Sequence, residues 1–328
     1  MSRLPGRRKA LSACVTAAAG MLGAGVAGAA QPGAAAAPAK AARRLLRWPA
    51  GLPEAAPAGL QQTFVQRSAV ANVSDRSLQG VTAPFLDVYV PNGRAIGSAI
   101  VLCPGGGYRY MAWDKEGEDL ARWFAARGVL AAALAYRLPL DGWNSGLDAP
   151  LADLQRAVRV LRQQASELAL DPQRVAVMGF SAGGHLVTNL GASFARQVYA
   201  PRDAADALSA RPALVGGLYV AVKLDEIGRE LLGPATPSQV LALHSPHLQV
   251  GADAPPHFLL HAEDDPLVDP SHALALRAAL RSRGVAVETH LHAKGGHGFG
   301  IRNTQGLPVD GWPDRFMAFG RSTGWLPA

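Results

Sequence analysis

Cysteine, aromatic residues and charge are all scarce in this sequence. Its 328 residues include two cysteines, and aromatic and charged side chains make up 6% and 17% of the chain. So few cysteines exclude a fold that several disulfides hold together. Hydrophobic residues nevertheless make up 49% of the chain. The composition therefore excludes an intrinsically disordered protein and allows one large domain with a deep core.

A basic surface interleaved with aromatic residues, which nucleic-acid-binding proteins need, is also missing. The formal net charge is +7, but four basic residues and no acidic residue fall within the first 30 positions, which leaves +3 for the remainder. Much of that remaining excess lies between residues 40 and 47. The charge distribution therefore predicts no nucleic-acid partner.

The first 30 residues have the parts of an export signal. Basic residues at positions 3–9 precede an apolar run at 10–26, and small residues at 27–30 suit signal-peptidase cleavage. The run is too rich in Ala and Gly for a membrane span. Arg7-Arg8 favours a twin-arginine signal, but the Phe that usually follows the pair is missing, so an ordinary secretory signal is the alternative. We expect a periplasmic or secreted protein without a stable membrane anchor. Its oligomeric state is not indicated.

Beyond the signal, residues 31–60 are rich in Ala and Pro, which predicts a flexible linker ahead of one folded domain at residues 61–328. Within that domain, apolar runs typical of strands buried on both faces alternate with amphipathic stretches. The clearest apolar runs lie at 98–103, 129–136, 174–179 and 257–262, and the clearest amphipathic stretches lie at 114–127, 151–161 and 271–283. This alternation predicts an α/β fold in which helices cover both faces of a doubly wound, mostly parallel sheet.

The strongest chemical signal is the pentapeptide Gly179-Phe180-Ser181-Ala182-Gly183. It follows a predicted strand and opens a predicted helix, which is the setting of a nucleophile elbow. Small flanking residues are needed there because the strand and helix backbones nearly touch. The tight turn lifts the serine hydroxyl clear of the sheet. We therefore predict Ser181 as a nucleophile, and the alternative is a glycine-rich loop in which the serine is incidental.

A second glycine-rich segment, Pro104-Gly-Gly-Gly-Tyr108, follows the predicted strand at 98–103. Consecutive glycines let backbone N–H groups face a bound group without obstruction by side chains. A serine nucleophile needs such donors for the developing oxyanion, so we predict this role for the N–H groups of Gly106, Gly107 and Ala182. A flexible turn is the alternative. A phosphate-binding loop is disfavoured because the Lys-Ser/Thr of a P-loop and the dinucleotide fingerprint are both missing.

The acid and the base of such a site follow the serine in that order along the chain. His297 lies in a glycine-rich loop after the last predicted strand and is the predicted base. The predicted acid is Asp265, which follows the apolar run at 257–262 and precedes a proline that stiffens the turn. Asp264 and Asp269 remain alternatives for the acid.

No metal or cofactor is predicted for this chemistry. His290 and His292 alternate on one strand face, but no carboxylate or cysteine ligand is obviously placed with them. Tyr108 and Trp113 lie in or near candidate loops and are the predicted substrate-binding residues, since aromatic rings can stack on sugar rings. Ordinary core or loop packing is the alternative for each of the two.

These motifs resemble those of the acetyl esterase and lipase branch of the α/β hydrolases, particularly acetylxylan esterases and bacterial feruloyl esterases. The resemblance covers roughly residues 75–320. It rests on these stretches, in order: Cys103–Tyr108, Lys115–Gly117, Tyr136-Arg137, Asp153–Ala157, Asp171–Arg174, Gly179–His185, Asp264–Val268 and Gly295–Phe299. The resemblance implies the α/β-hydrolase fold and a serine esterase that hydrolyses short-chain acyl esters, acetyl esters above all, through an acyl-enzyme. The implied substrates are small-molecule or carbohydrate esters, xylan among them.

The resemblance also bears on single residues. The second Asp of an Asp-Asp-x-x-Val stretch is the acid in this family, which supports Asp265. Many relatives have His where this chain has Pro104, so the support of the glycine loop must differ. The position after Val268 usually holds Pro but is Asp269 here, which keeps that residue open as the acid.

Two other functions remain open. A serine peptidase of the prolyl-oligopeptidase type would share the three predicted residues, but such enzymes usually carry a large extra domain for which we expect no room here. A non-catalytic binding module with a hydrolase fold is the other alternative, but such modules usually lose one of the three residues.

Overall fold

A computed structural model describes residues 43–45, 48 and 51–327. The predicted export signal and the first part of the predicted linker lie outside the described residues. The described strands are β1 (Arg43–Leu45), β2 (Thr63–Gln66), β3 (Arg76–Gln79), β4 (Phe85–Tyr89), β5 (Ala99–Cys103), β6 (Leu130–Ala135), β7 (Val175–Phe180), β8 (Val215–Leu218), β9 (His257–Ala262) and β10 (Val287–His292). The described helices are α1 (Asp119–Ala125), α2 (Asp148–Gln163), α3 (Ala182–Ser193), α4 (Leu224–Leu232), α5 (Ser238–Leu243), α6 (Pro246–Gln249), α7 (Ser271–Ser282) and α8 (Trp312–Ser322).

Eight strands form one sheet in the order β1-β4-β6-β5-β7-β8-β9-β10, and β2 pairs with β3 in a separate antiparallel hairpin. From β6 to β10 all neighbours are parallel, whereas β4 runs antiparallel to β6 and β1 runs antiparallel to β4. The predicted α/β fold with a mostly parallel sheet is therefore confirmed. Parallel strands point their carboxyl ends to one edge, where sites in such sheets are built.

The two faces of the sheet bury different sets of side chains. Alternate residues of β5 divide between them: Val101 and Cys103 belong to one apolar cluster, and Ile100 and Leu102 belong to the other. Helices α2 and α3 pack on the first face, and α1 and α8 pack on the second. Strands buried on both faces explain why the sequence shows continuous apolar runs rather than alternation.

The predicted linker and one predicted helix differ from the structure. Within residues 31–60, β1 pairs with β4, and the buried Trp48 donates from Nε1 to Oδ1 of Asp153 at 3.2 Å. This part of the expected linker therefore joins the fold, because its apolar side chains pack on α2 rather than extending into solvent. The stretch predicted as one helix at 114–127 begins instead as a π-helix, Asp114–Glu118, which continues into α1.

Candidate active site

Ser181 occupies a strained corner between β7 and α3. Its φ of 52° lies in the left-handed region, which residues other than glycine seldom adopt. A Cβ on Gly179 would lie 2.1 Å from the carbonyl oxygen of Gly183, and a Cβ on Gly183 would lie 2.0 Å from that of Cys103. Glycine at both positions is therefore a consequence of backbone packing. The corner holds the Ser181 hydroxyl at the positive end of the α3 dipole.

Ser181, His297 and Asp265 form one chain of hydrogen bonds. Nε2 of His297 lies 2.9 Å from Oγ of Ser181, and Nδ1 lies 2.7 Å from Oδ2 of Asp265. Because a carboxylate oxygen only accepts, Nδ1 carries the proton and Nε2 presents its lone pair to the serine hydroxyl. The three residues follow the carboxyl ends of β7, β9 and β10, which meet at one edge of the sheet.

The Asp265 side chain is fully buried, yet it is held in its ionised form. Burial acts to raise its pKa, but hydrogen bonds from His261 and His297 outweigh burial and hold the pKa well below the ordinary value of 3.8. Nε2 of His261 lies 3.1 Å from Oδ2, and the N–H groups of Leu267 and Val268 donate to Oδ1 at 2.8 and 2.9 Å. Asp265 therefore remains an acceptor while His297 exchanges a proton.

The two alternative acids have other partners. Oδ1 of Asp264 accepts the N–H groups of Gly295 and Gly296 at 2.9 and 2.8 Å, and so fastens the loop that carries His297. Oδ1 of Asp269 accepts the N–H of Ser271 at 2.9 Å at the start of α7. Of the three carboxylates, Asp265 is the one that bonds His297 in the described part of the chain.

The predicted oxyanion loop lies directly beside the serine. A Cβ on Gly105 would approach Cβ of Ser181 to 3.0 Å. The N–H of Gly105 donates to a glutamate, so the N–H groups of Gly106 and Gly107 are the next ones along the loop that can face a ligand. Ala182 is the first residue of α3, and its N–H therefore has no acceptor within the helix.

The glycine loop is supported by tyrosine hydroxyls on both sides. Tyr136 donates to the carbonyl oxygen of Pro104 at 2.6 Å. The Tyr108 hydroxyl lies 2.6 Å from Nδ1 of His185, whose Nε2 faces the carbonyl oxygen of His244 at 2.6 Å. Burial lowers the pKa of His185 to about 4. His185 is therefore neutral at ordinary pH, and its Nδ1 accepts a hydrogen bond from the Tyr108 hydroxyl. These two tyrosine bonds support the glycine loop, which begins here with Pro104 instead of the more usual His.

The two predicted substrate-binding aromatics are buried instead. Tyr108 and Trp113 are each 1% exposed. The ring of Tyr108 packs edge-on against Tyr136, and Trp113 packs against Phe85 and Phe64. The loop folds these side chains into the core because their apolar surface is buried there, so neither is open to a sugar ring.

Three residues around this site were missed in the sequence. His261 follows three apolar residues in the buried strand β9, and that polar residue in a buried run was the available signal. Glu116 and Tyr219 lie behind the glycine loop and beside His297, where both are buried. Glu116 lies in one of the stretches that carry the family resemblance, but a glutamate in an amphipathic stretch is usually solvated, and a tyrosine after a strand is common, so neither residue indicated a role at the site.

No described helix is long and apolar enough to cross a bilayer. Among the described residues there is also no group of three or more His, Cys, Asp or Glu side chains able to hold a metal ion. His290 and His292 stack with ring centroids 6.1 Å apart, and Nε2 of His290 lies 2.7 Å from Glu288.

Comparison with known proteins places these features in a family. The profile of the family BD-FAE matches residues 86–210, and that of the prolyl oligopeptidase family matches residues 218–309. An acetyl ester-xyloside bifunctional hydrolase from Caldicellulosiruptor lactoaceticus is 31% identical to this chain in sequence, and its crystal structure matches the fold with a TM-score of 0.67. The match covers 74% of this chain and 89% of that one.

Two curated relatives are longer proteins. The chain is 30% identical over 230 residues to endo-1,4-beta-xylanase B of Butyrivibrio fibrisolvens, a match that covers 68% of this chain and 35% of the xylanase. It is 27% identical over 229 residues to an acetylxylan esterase of Xylanibacter ruminicola, covering 64% of this chain and 42% of the esterase. The chain thus spans less than half the length of these relatives.

A mostly parallel sheet with a serine at a strand-to-helix corner defines the class of α/β hydrolases. The chain belongs to the α/β-hydrolase family, and within that family it resembles acetylxylan esterases.

Proposed function

We propose that this protein is an exported serine esterase that hydrolyses short-chain acyl esters, acetyl esters above all, on xylan or related carbohydrates. The observation that carries the proposal is the hydrogen-bonded chain Ser181–His297–Asp265 at the carboxyl edge of the sheet. The names of the relatives support the ester class and the carbohydrate. The composition of residues 1–30 supports export.

The proposed reaction is acyl transfer to water. Nε2 of His297 takes the hydroxyl proton as Oγ of Ser181 attacks the ester carbonyl, and Asp265 stabilises the imidazolium that forms. The N–H groups of Gly106, Gly107 and Ala182 receive the oxyanion. His297 then returns the proton to the leaving alcohol. A water molecule then attacks the acyl carbon while His297 takes one of its protons, and His297 returns that proton to Oγ of Ser181 as the acyl–oxygen bond breaks and the carboxylic acid leaves.

Replacing the nucleophile tests the proposal. We expect Ser181→Ala to lower kcat for p-nitrophenyl acetate by several orders of magnitude, on the order of 10⁴-fold or more, because the acyl-enzyme can no longer form. Circular dichroism checks that the variant is folded. The wild type should also release acetate from acetylated xylan and favour acetyl over longer acyl esters. A Ser181→Ala variant with wild-type turnover would refute the assignment.

A serine peptidase is the second candidate, and the match of residues 218–309 to the prolyl oligopeptidase family favours it. Esters and amides of matched structure separate the two. An esterase cleaves acyl p-nitrophenyl esters but leaves aminoacyl p-nitroanilides intact, whereas a peptidase cleaves both. A binding module without catalysis would fail to react with a fluorophosphonate probe at Ser181.

A further inference from the structure

Glu116 is a buried carboxylate with no part in the proposed proton transfers. It lies on the π-helix Asp114–Glu118 and is 2% exposed. A carboxylate is costly to bury unless hydrogen bonds replace its lost water. π-helical turns are rare in proteins, and those that occur are often found at functional sites. The position of Glu116 therefore calls for a specific role.

Both carboxylate oxygens of Glu116 accept hydrogen bonds, and the two bonds lead to different loops. Oε2 accepts the N–H of Gly105, in the glycine loop, at 2.7 Å. Oε1 accepts the hydroxyl of Tyr219 at 2.9 Å. That hydroxyl in turn accepts the N–H of Gly300 at 3.1 Å, three residues after His297. Glu116 thus bonds the glycine loop directly and the histidine loop through Tyr219.

The contacts of Tyr219 reach the imidazole itself. The ring centroids of Tyr219 and His297 lie 4.9 Å apart. One residue after His297, Nζ of Lys115 donates to the carbonyl oxygen of Gly298 at 2.7 Å. A Cβ on Gly300 would lie 3.0 Å from the carbonyl oxygen of Lys115. Two adjacent residues of one short helix therefore hold the segment just after His297, Lys115 at Gly298 and Glu116 through Tyr219 at Gly300.

We propose that Glu116, acting through Tyr219, is a positioning residue that holds the oxyanion loop and the histidine loop in one fixed geometry. The inference rests on the proposed function, because it gives the two loops their roles. Attack on the ester needs the donors of the glycine loop and the base of the histidine loop around the same carbonyl carbon. A carboxylate bonded to both loops fixes the distance between the oxyanion donors and the base. Its loss therefore lowers turnover more than it weakens substrate binding.

Three variants test the coupling: Glu116→Gln, Tyr219→Phe and the double variant. Tyr219→Phe removes the hydroxyl, and Glu116→Gln replaces one of the two acceptor oxygens by an NH2 group that cannot accept, so each single change breaks the chain of bonds between the loops while nearly keeping the shape of the side chain. We expect kcat for p-nitrophenyl acetate to fall about 10- to 100-fold with KM within about twofold. The double variant should be no slower than the slower single variant, because both changes break the same chain of bonds. Glu116→Ala, which loses both bonds, should be slower than Glu116→Gln, which keeps one acceptor oxygen.

A matched pair remote from Ser181 supplies the control. The Tyr199 hydroxyl donates to Oδ1 of Asp206 at 2.6 Å, so Tyr199→Phe removes the same kind of bond and Asp206→Asn replaces one acceptor oxygen in the same way. Thermal unfolding of all variants compares their stability. We expect these two controls to keep wild-type kcat even where they lower the melting temperature as much as Tyr219→Phe does.

The outcomes separate this inference from the proposed function. If Ser181→Ala is inactive while Glu116→Gln and Tyr219→Phe keep kcat within about twofold of the wild type, the positioning role is overturned and the esterase stands. An equal loss of kcat in Tyr199→Phe would overturn it too, because the effect would then follow stability alone. A Ser181→Ala variant that remains active would instead refute the proposed function.

Discussion

At the scale of single residues, chemistry is set by the surroundings of a side chain more than by its type. Asp264, Asp265 and Asp269 lie within six positions of one another, and any of them would suit the sequence pattern. The structure gives them separate partners: a loop backbone, an imidazole and the start of a helix. The four donors around Asp265 explain why its carboxyl group is more acidic than that of an ordinary aspartate.

Replacing Asp265 by Asn should change how stability depends on pH. A carboxyl group whose pKa is lower in the folded than in the unfolded chain stabilises the fold above the unfolded pKa, and this contribution is lost as pH falls through the folded pKa. We expect the wild type to exceed Asp265→Asn in unfolding free energy by on the order of 1–3 kcal/mol at about pH 6, and the difference to shrink below about pH 4. Urea unfolding at several pH values measures it.

An exposed carboxylate provides the control for this prediction. The side chain of Asp314 is 72% exposed, so Asp314→Asn should show almost no difference from the wild type at any of these pH values. A difference for Asp265→Asn that stays constant as the pH falls would contradict the prediction.

Sequence reasoning about residues succeeds where local motif and chemistry coincide. Ser181 lies in a pentapeptide whose glycines follow from backbone contact, and His297 lies in a glycine-rich loop, so both could be singled out without coordinates. Glu116 and Tyr108 could not be interpreted in this way. Whether such side chains turn inward depends on contacts between segments far apart in the chain, and the sequence alone does not show those contacts.

At the scale of elements, the corner between β7 and α3 leaves no room for an added side chain at Gly179 or Gly183. The backbone of Gly183 lies against the carbonyl oxygens of Cys103 and Pro104, so β5, β7 and α3 converge there. Buried strands were predicted closely because they are continuous apolar runs; β9 has the predicted bounds of 257–262. The short strands β1 to β4 were not predicted as separate elements, since their pairing depends on distant partners.

Adding one methyl group at the corner should therefore disrupt the site. We expect Gly183→Ala to lower the unfolding free energy by about 3 kcal/mol, because its Cβ would lie 2.0 Å from the carbonyl oxygen of Cys103 and backbone must move. Turnover of p-nitrophenyl acetate should fall at least about 100-fold as Ser181 is displaced. Urea unfolding and steady-state kinetics measure the two effects.

A glycine with free space around it is the matched control. A Cβ on Gly93 would meet no atom within 4 Å, so Gly93→Ala should stay within about 0.5 kcal/mol of the wild type and keep its activity. A folded Gly183→Ala variant with normal turnover would show that the corner tolerates a side chain.

At the scale of the whole molecule, the segment ahead of the predicted domain boundary completes the fold. The strand β1 adds an antiparallel edge to the sheet, and Trp48 covers the buried Asp153. Farther along, Glu54 lies 3.2 Å from Arg137, which also bonds Asp153. Composition predicted a linker here because Ala and Pro are typical of linkers. Among the described residues of this segment, however, Arg44 pairs with Asp87 on β4, Trp48 bonds Asp153 on α2, and Glu54 pairs with Arg137.

Two chains that differ only in this segment test its contribution. We expect a chain beginning at residue 61 to be less stable than one beginning at residue 39 by at least about 3–5 kcal/mol, the range for removing a buried tryptophan from a core. The deletion also uncovers the outer edge of β4 and removes the donor that Trp48 offers to Asp153. Trp48→Ala in the longer chain should reproduce most of the loss, while Arg43→Ala, which removes an exposed ion pair with Glu167, should change stability by less than about 1 kcal/mol. Equal unfolding free energies for the two chains would place the domain boundary at residue 61 and leave β1 as an accessory strand.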